Sequence, residues 1–157
     1  TQDLFDGLRV ERTLTVDEIL PILRVATTVI NPSDGDRVIN LRNHLELDLG
    51  ELALTEIEFI DRRGISRSPD IDDVLEQLRE GIAFHDLDAP SGEWTFTGTK
   101  NIEVTQRFTD ADVASATLFS YPAELNELEI EIWAHRSILG PGERLTFTHE
   151  LEVHPIE

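Results

Sequence analysis

The chain has no cysteine and only one lysine, and each shortage removes a class of explanation. Without cysteine there is no disulfide framework and no thiol chemistry, and the redox compartment stays open. Of the 13 basic residues only Lys100 is a lysine, and they stand against 32 acidic residues for a formal net charge of -19. Such a surface repels a phosphate backbone, and no basic cluster makes a groove for one, so no nucleic-acid partner is expected. Apolar runs are short as well. Ile19-Leu20-Pro21-Ile22-Leu23 falls far below the ~20 residues of a membrane-crossing helix, so no membrane span is expected. Thr1 to Asp6 has neither the cationic start nor the apolar core of a secretory signal. Either the chain is not exported by that route or such a segment has been removed.

What the chain does have is period-two patterning. Leu128, Ile130, Ile132 and Ala134 alternate with Glu129, Glu131 and Trp133, and Leu145, Phe147, His149, Leu151 and Val153 alternate with polar residues. Both arms read as half-buried strands, and Gly140-Pro141-Gly142-Glu143 between them supplies a turn, which predicts an antiparallel hairpin. Alternation also marks Leu8 to Val16, Arg24 to Ile30, Leu52 to Ile60, Ile82 to His85, Glu93 to Thr97, Asn101 to Phe108 and Val113 to Ser120. Asn31 to Asp36 is a dense turn signal, predicting a second hairpin whose outgoing arm runs from Arg37 to Leu49, with Asn43 interrupting its apolar face. One helix is expected, over 70–80. Ser68 or Asp70 can cap it, Asp72 and Asp73 suit its positive end, and Ile71, Val74, Leu75 and Leu78 form an apolar stripe.

These elements predict a single all-β domain over residues 1–157, an antiparallel β-sandwich with one inserted helix. A single jelly roll is the preferred topology, ahead of an immunoglobulin-like sandwich or a closed barrel. The acidic, lysine-poor composition resembles that of proteins from extreme halophiles, where molar salt shortens the Debye length to about 3 Å and screens the self-repulsion. Thr27-Thr28-Val29-Ile30 followed by Asp34-Gly35-Asp36-Arg37-Val38-Ile39 resembles an opening hairpin of single jelly-roll virion proteins from phages and archaeal viruses. That resemblance implies a non-catalytic structural subunit of a virion, located in the particle and partnered by itself and other virion proteins, as a homo-oligomer or a pseudo-symmetric assembly.

Chemistry-bearing residues are scattered. His44, His85, His135, His149 and His154 stand singly with no His-x-His pair, which disfavours a cupin-like metal enzyme, and only His149 falls on a core face. Asp86, Asp88 and Glu93 offer hard oxygen atoms along a loop, but their order does not match an EF-hand. No nucleophile elbow or phosphate-cradling loop is present, so no catalytic, cofactor or metal residue is assigned and the chain is read as a non-enzyme. Two alternatives remain: a carbohydrate- or receptor-binding module with Trp94 or Tyr121 as a stacking platform, and behind it a cupin-like metal enzyme. Trp133 is the candidate interface anchor, because a large aromatic among Glu129, Glu131 and Arg144 has little reason to face water.

Overall fold

A computed structural model of the protein describes residues 2–3, 7–71, 77–78, 80–120 and 127–156. Among the described residues strands dominate, and every pairing is antiparallel. In chain order they are β1 (Gln2–Asp3), β2 (Arg9–Val16), β3 (Ile22–Ile30), β4 (Arg37–Ile39), β5 (Arg42–Leu47), β6 (Glu56–Asp61) and β7 (Ser66–Arg67), then β8 (Ile82–His85), β9 (Pro90–Gly98), β10 (Ile102–Phe108), β11 (Val113–Phe119), β12 (Leu128–Ala134), β13 (Ser137–Leu139) and β14 (Arg144–Pro155). Eight of them form one sheet in the order β1-β2-β3-β14-β10-β9-β6-β7. Four form a second in the order β5-β12-β11-β8, and β13 pairs with β4. The all-β antiparallel sandwich expected from the alternation is therefore what the chain adopts. Its strands divide eight, four and two, rather than as the eight strands in two sheets of a jelly roll.

The two larger sheets face each other across one core. Ile57 and Phe59 of β6, Trp94 and Phe96 of β9, and Phe147 of β14 meet Ala116 and Leu118 of β11 and Leu128, Ile130 and Ile132 of β12. Each large side chain buried this way contributes ~1.5–3 kcal/mol. A smaller cluster of Leu8, Val29, Ile39 and Leu139 packs the β4/β13 ribbon against the first strands.

Both predicted hairpins need correction. β12 and β14 do not pair: β12 lies between β5 and β11, and β14 lies between β3 and β10 in the opposite sheet. The intervening residues are too many for a tight hairpin and contain β13, which leaves to pair with β4. Two oily faces can be satisfied across a core as well as side by side. The expected hairpin around Asn31 fails similarly. The arm read as one strand from Arg37 to Leu49 breaks between Ile39 and Arg42, sending β4 to β13 and β5 to β12. The turn is pinned elsewhere, because the buried Asn31 Nδ2 donates to the carbonyls of Gly35 and Leu139, each at 2.8 Å. Asn43 forms no bulge. It points inward on β5, 3% exposed, and its Nδ2 has no hydrogen-bond partner.

Of the expected helix, Ile71, Gln77 and Leu78 are helical, and residues 72–76 and 79, with Val74 and Leu75 among them, lie outside the described residues. Ile71 and Leu78 are 1% and 0% exposed in the main core, so the stripe packs on its own domain at both positions. Among the described residues no helix is long and apolar enough to cross a membrane.

Candidate functional site

The inward face of β12 is apolar, so its alternate residues Glu129, Glu131 and Trp133 project from the outer face of the four-stranded sheet. Register fixes their neighbours. Trp133 lies between Arg42 of β5 and Ser115 of β11, and Ser115 in turn faces His85 of β8; Glu131 lies between His44 and Thr117, and Thr117 faces Ala83. Small residues on β11 and β8 beside large ones on β12 leave an open trough of about 490 Å³, lined by Trp133, Glu131, Ser115, Thr117, His85 and Arg136 among others. Its far end is shaped by Gly81. With φ at +87° and the Phe119 ring above it, a Cβ there would lie 2.2 Å from that ring, so only glycine fits.

Glu131 is the unusual member, a carboxylate on an outer sheet face whose side chain is only 3% exposed. Its charge is compensated on three sides: Arg42 donates to Oε1 at 2.5 Å, His44 Nδ1 lies 3.1 Å from the same oxygen, and Trp133 Nε1 donates to Oε2 at 3.0 Å. The Arg42 guanidinium carbon also sits 5.4 Å from the centre of the Trp133 ring, a cation–π distance. The indole is thereby locked, held at its N–H by Glu131 and covered on one side by Arg42, a residue that does not line the trough. Burial works against protonation of His44, but hydrogen bonds to Glu131 and Glu46 and the charge of Glu129 prevail, and the imidazole stays charged to a higher pH than usual.

A second polar chain crosses the inner face of the large sheet. Trp94 Nε1 donates to Gln106 Oε1 at 2.6 Å, which leaves the Gln106 amide to donate to His149 Nδ1 at 3.0 Å. Trp94, Gln106 and His149 are all 2% exposed or less. Burial, aided by the charge of Arg12, lowers the His149 pKa to about 4, so the ring is neutral near pH 7. This chain is sealed in the core and offers nothing to a ligand.

The other residues singled out in the sequence separate in the same way. Trp94 is a core residue and cannot be a platform, and Tyr121 lies outside the described residues. His85 lines the trough, His135 is exposed, and His154 pairs with Glu152 at 2.9 Å. Asp88 is engaged by Arg63 and Arg67 and Glu93 by Arg107, while Arg62 donates to the backbone carbonyl of Asp86, so two of the three carboxylates are spent on guanidinium groups. Among the described residues no group of three or more histidine, aspartate or glutamate side chains is placed to hold a metal ion. Trp133, the expected interface anchor, is half buried and clamped by its own chain.

No protein-family model matches the chain, and no curated sequence does. Solved structures do. A protein of Synechocystis sp. PCC 6803 superposes with a TM-score of 0.71 at 13% identity over 95% of this chain. A putative aldose 1-epimerase from Escherichia coli K12 gives 0.63 at 14% over 96%, and the GalM/aldose epimerase homologue from C. elegans gives 0.66 at 15% over 97%. The chain spans 55%, 61% and 62% of the lengths of these three proteins. At such identities the likeness is one of fold.

It nevertheless corrects the reading of the chain as a non-enzyme. Several proteins with this sandwich are named as putative aldose 1-epimerases, an aldose epimerase homologue or galactose mutarotase-like, so neither the fold nor the lack of a short motif is an argument against activity. The physical reason lies in the trough. Residues that meet on a sheet face come from neighbouring strands distant in sequence, here His85, Ser115, Glu131 and Trp133 around the trough, and no linear motif can record such a grouping.

Proposed function

We propose that the chain is a carbohydrate-binding β-sandwich whose ligand lies in the outer-face trough, with Trp133 as the stacking surface. The carrying observation is the clamp on Trp133: its N–H held by the buried Glu131 and one side covered by Arg42, while the ring also borders a trough of about 490 Å³. An immobilised aromatic loses little entropy when a sugar's apolar C–H face lies on it. Ser115, Thr117, His85 and Arg136 offer donors and acceptors for hydroxyl groups around that ring. The names of proteins with the same sandwich, aldose 1-epimerase and galactose mutarotase-like, favour an aldose such as galactose as the ligand.

The chain has two tryptophans, and Trp94 is fully buried, so a change in fluorescence on adding sugar reports on Trp133. Titration with galactose is expected to give a saturable change with a Kd on the order of 1 mM, and Trp133→Ala to abolish binding seen by calorimetry while the circular dichroism spectrum is retained. Polarimetry of freshly dissolved α-galactose tests in the same sample whether binding is accompanied by anomer interconversion. Saturable binding that survives in Trp133→Ala would refute the assignment of the trough.

A further inference from the structure

The trough is not an isolated hollow. At the edge strand β8 it meets a larger cleft of about 850 Å³, and Ala83 and His85 line both. This second cleft lies at the mouth of the sandwich, between β8 at the edge of one sheet and β7 at the edge of the other. Together the two exceed the ~300–1,000 Å³ typical of a pocket for one small ligand.

The walls of the mouth cleft are held rigidly. Asp61, fully buried, accepts from the backbone N–H groups of Arg63 and Ile65, each at 2.9 Å, and from Arg67 Nε at 2.9 Å. From the other side Asp88 accepts from Arg63 and, at 3.1 Å, from Arg67. Both guanidinium groups are thus fixed while remaining 40% and 38% exposed, and each has more N–H donors than these carboxylates use. The turn at 86–88 begins with Asp86 at φ +51°, a conformation that costs a non-glycine residue energy and persists only where its surroundings impose it. Arg62 imposes it by donating to the Asp86 carbonyl at 3.2 Å while binding Asp110 and the Val113 carbonyl. The turn leaves Leu87 57% exposed on the cleft wall, an apolar surface beside fixed donors.

Rigid donors next to an exposed apolar side chain repeat, on a second surface, the chemistry of the trough. We infer that the ligand is an oligosaccharide, which begins on Trp133, passes over β8 at Ala83 and His85, and continues into the mouth cleft between Leu87 and the paired Arg63 and Arg67. The inference rests on the trough being a carbohydrate site and extends it to a glycan of several units.

The test compares D-galactose with a linear galactotetraose by calorimetry on the intact chain. The wild type is expected to bind the tetraose roughly tenfold or more tightly than galactose, each factor of ten being about 1.4 kcal/mol. Leu87→Ala and Ser66→Tyr alter exposed positions that line the mouth cleft and not the trough; both are expected to reduce the tetraose affinity toward that of galactose and to leave galactose binding unchanged. Trp133→Ala is expected to abolish both. Equal affinities for the two sugars on the wild type, or an advantage of the tetraose that survives Ser66→Tyr, overturn the inference and leave the trough assignment standing. Failure of the wild type to bind either sugar overturns both.

Discussion

Two chains of polar side chains cross this sandwich, and they are built on opposite plans. The inner one, Trp94 to Gln106 to His149, is uncharged, buried, and satisfied by partners one strand apart. The outer one sets a buried carboxylate among Arg42, His44 and an indole, with Arg42 51% and His44 31% exposed. A closed neutral chain tolerates no missing partner, so it specifies which strands lie together. An open charged chain can trade a partner for water or for a ligand hydroxyl. The first fixes the fold and the second, on the proposed function, would serve recognition, although both arise from the same cross-strand geometry.

That comparison can be broken by substitution. Gln106→Ala strips partners from the Trp94 N–H and the His149 ring at once and is expected to cost about 3 to 5 kcal/mol, each orphaned group contributing ~1–3, as read from urea denaturation. Glu131→Gln keeps an acceptor for Trp133, and its partly exposed cations can turn to water, so its cost is expected near ~1 kcal/mol. Equal losses would erase the distinction between the two networks.

Acid titration sharpens it. With its folded pKa lowered to about 4 from 6.5, His149 stabilises the fold fully above pH 6.5, and that contribution drains away as the pH falls toward 4. The loss is on the order of 3 kcal/mol at 1.36 kcal/mol per unit. His149→Leu is expected to flatten the stability profile in that window. Asp61, lowered to about 2 from 3.8 because its hydrogen bonds outweigh burial, loses its contribution only below pH 3.8. A His149→Leu profile that still falls steeply between pH 6.5 and 4 would contradict the neutral character of the inner chain.

Two smaller effects probe the trough sheet itself. Gly81→Ala forces a methyl group toward the Phe119 ring at a positive φ, with an expected loss of ~1–3 kcal/mol and a distorted trough end. Asn43→Leu moves the other way. It replaces an inward Nδ2 that has no partner with an apolar side chain, and a gain of about 1 kcal/mol is expected by thermal denaturation.

The faces of this fold were legible in the sequence, while the partners of its strands were not. Leu128, Ile130 and Ile132 point inward as their alternation requires, and so do Phe147 and His149. Alternation reports which side of a strand is oily; it carries no information on which strand lies next to it, and β12 and β14 were therefore joined into a hairpin they do not form. Trp133 stood out as an aromatic among charges, whereas Glu131 did not, since it alternates with Glu129 like any residue facing water. Its burial depends on Arg42 and His44, which are 89 and 87 residues away in the chain. Gln106 was equally silent, because its role exists only once β10 lies between β9 and β14.

The position of β14 also governs the order in which the molecule can be assembled. Among the described strands it comes last in sequence yet sits fourth in the eight-stranded sheet, joining β3 to β10, with Thr28 and Thr146 hydrogen-bonded across 118 residues. Until that strand has left the ribosome, β3 and β10 each present an unpaired edge, and no earlier segment can stand in for it. Closing a loop of such length before any contact compensates for it makes for slow folding. The excess of carboxylates gives such chains a shared negative charge, and its repulsion opposes the pairing of one open edge with a neighbour's.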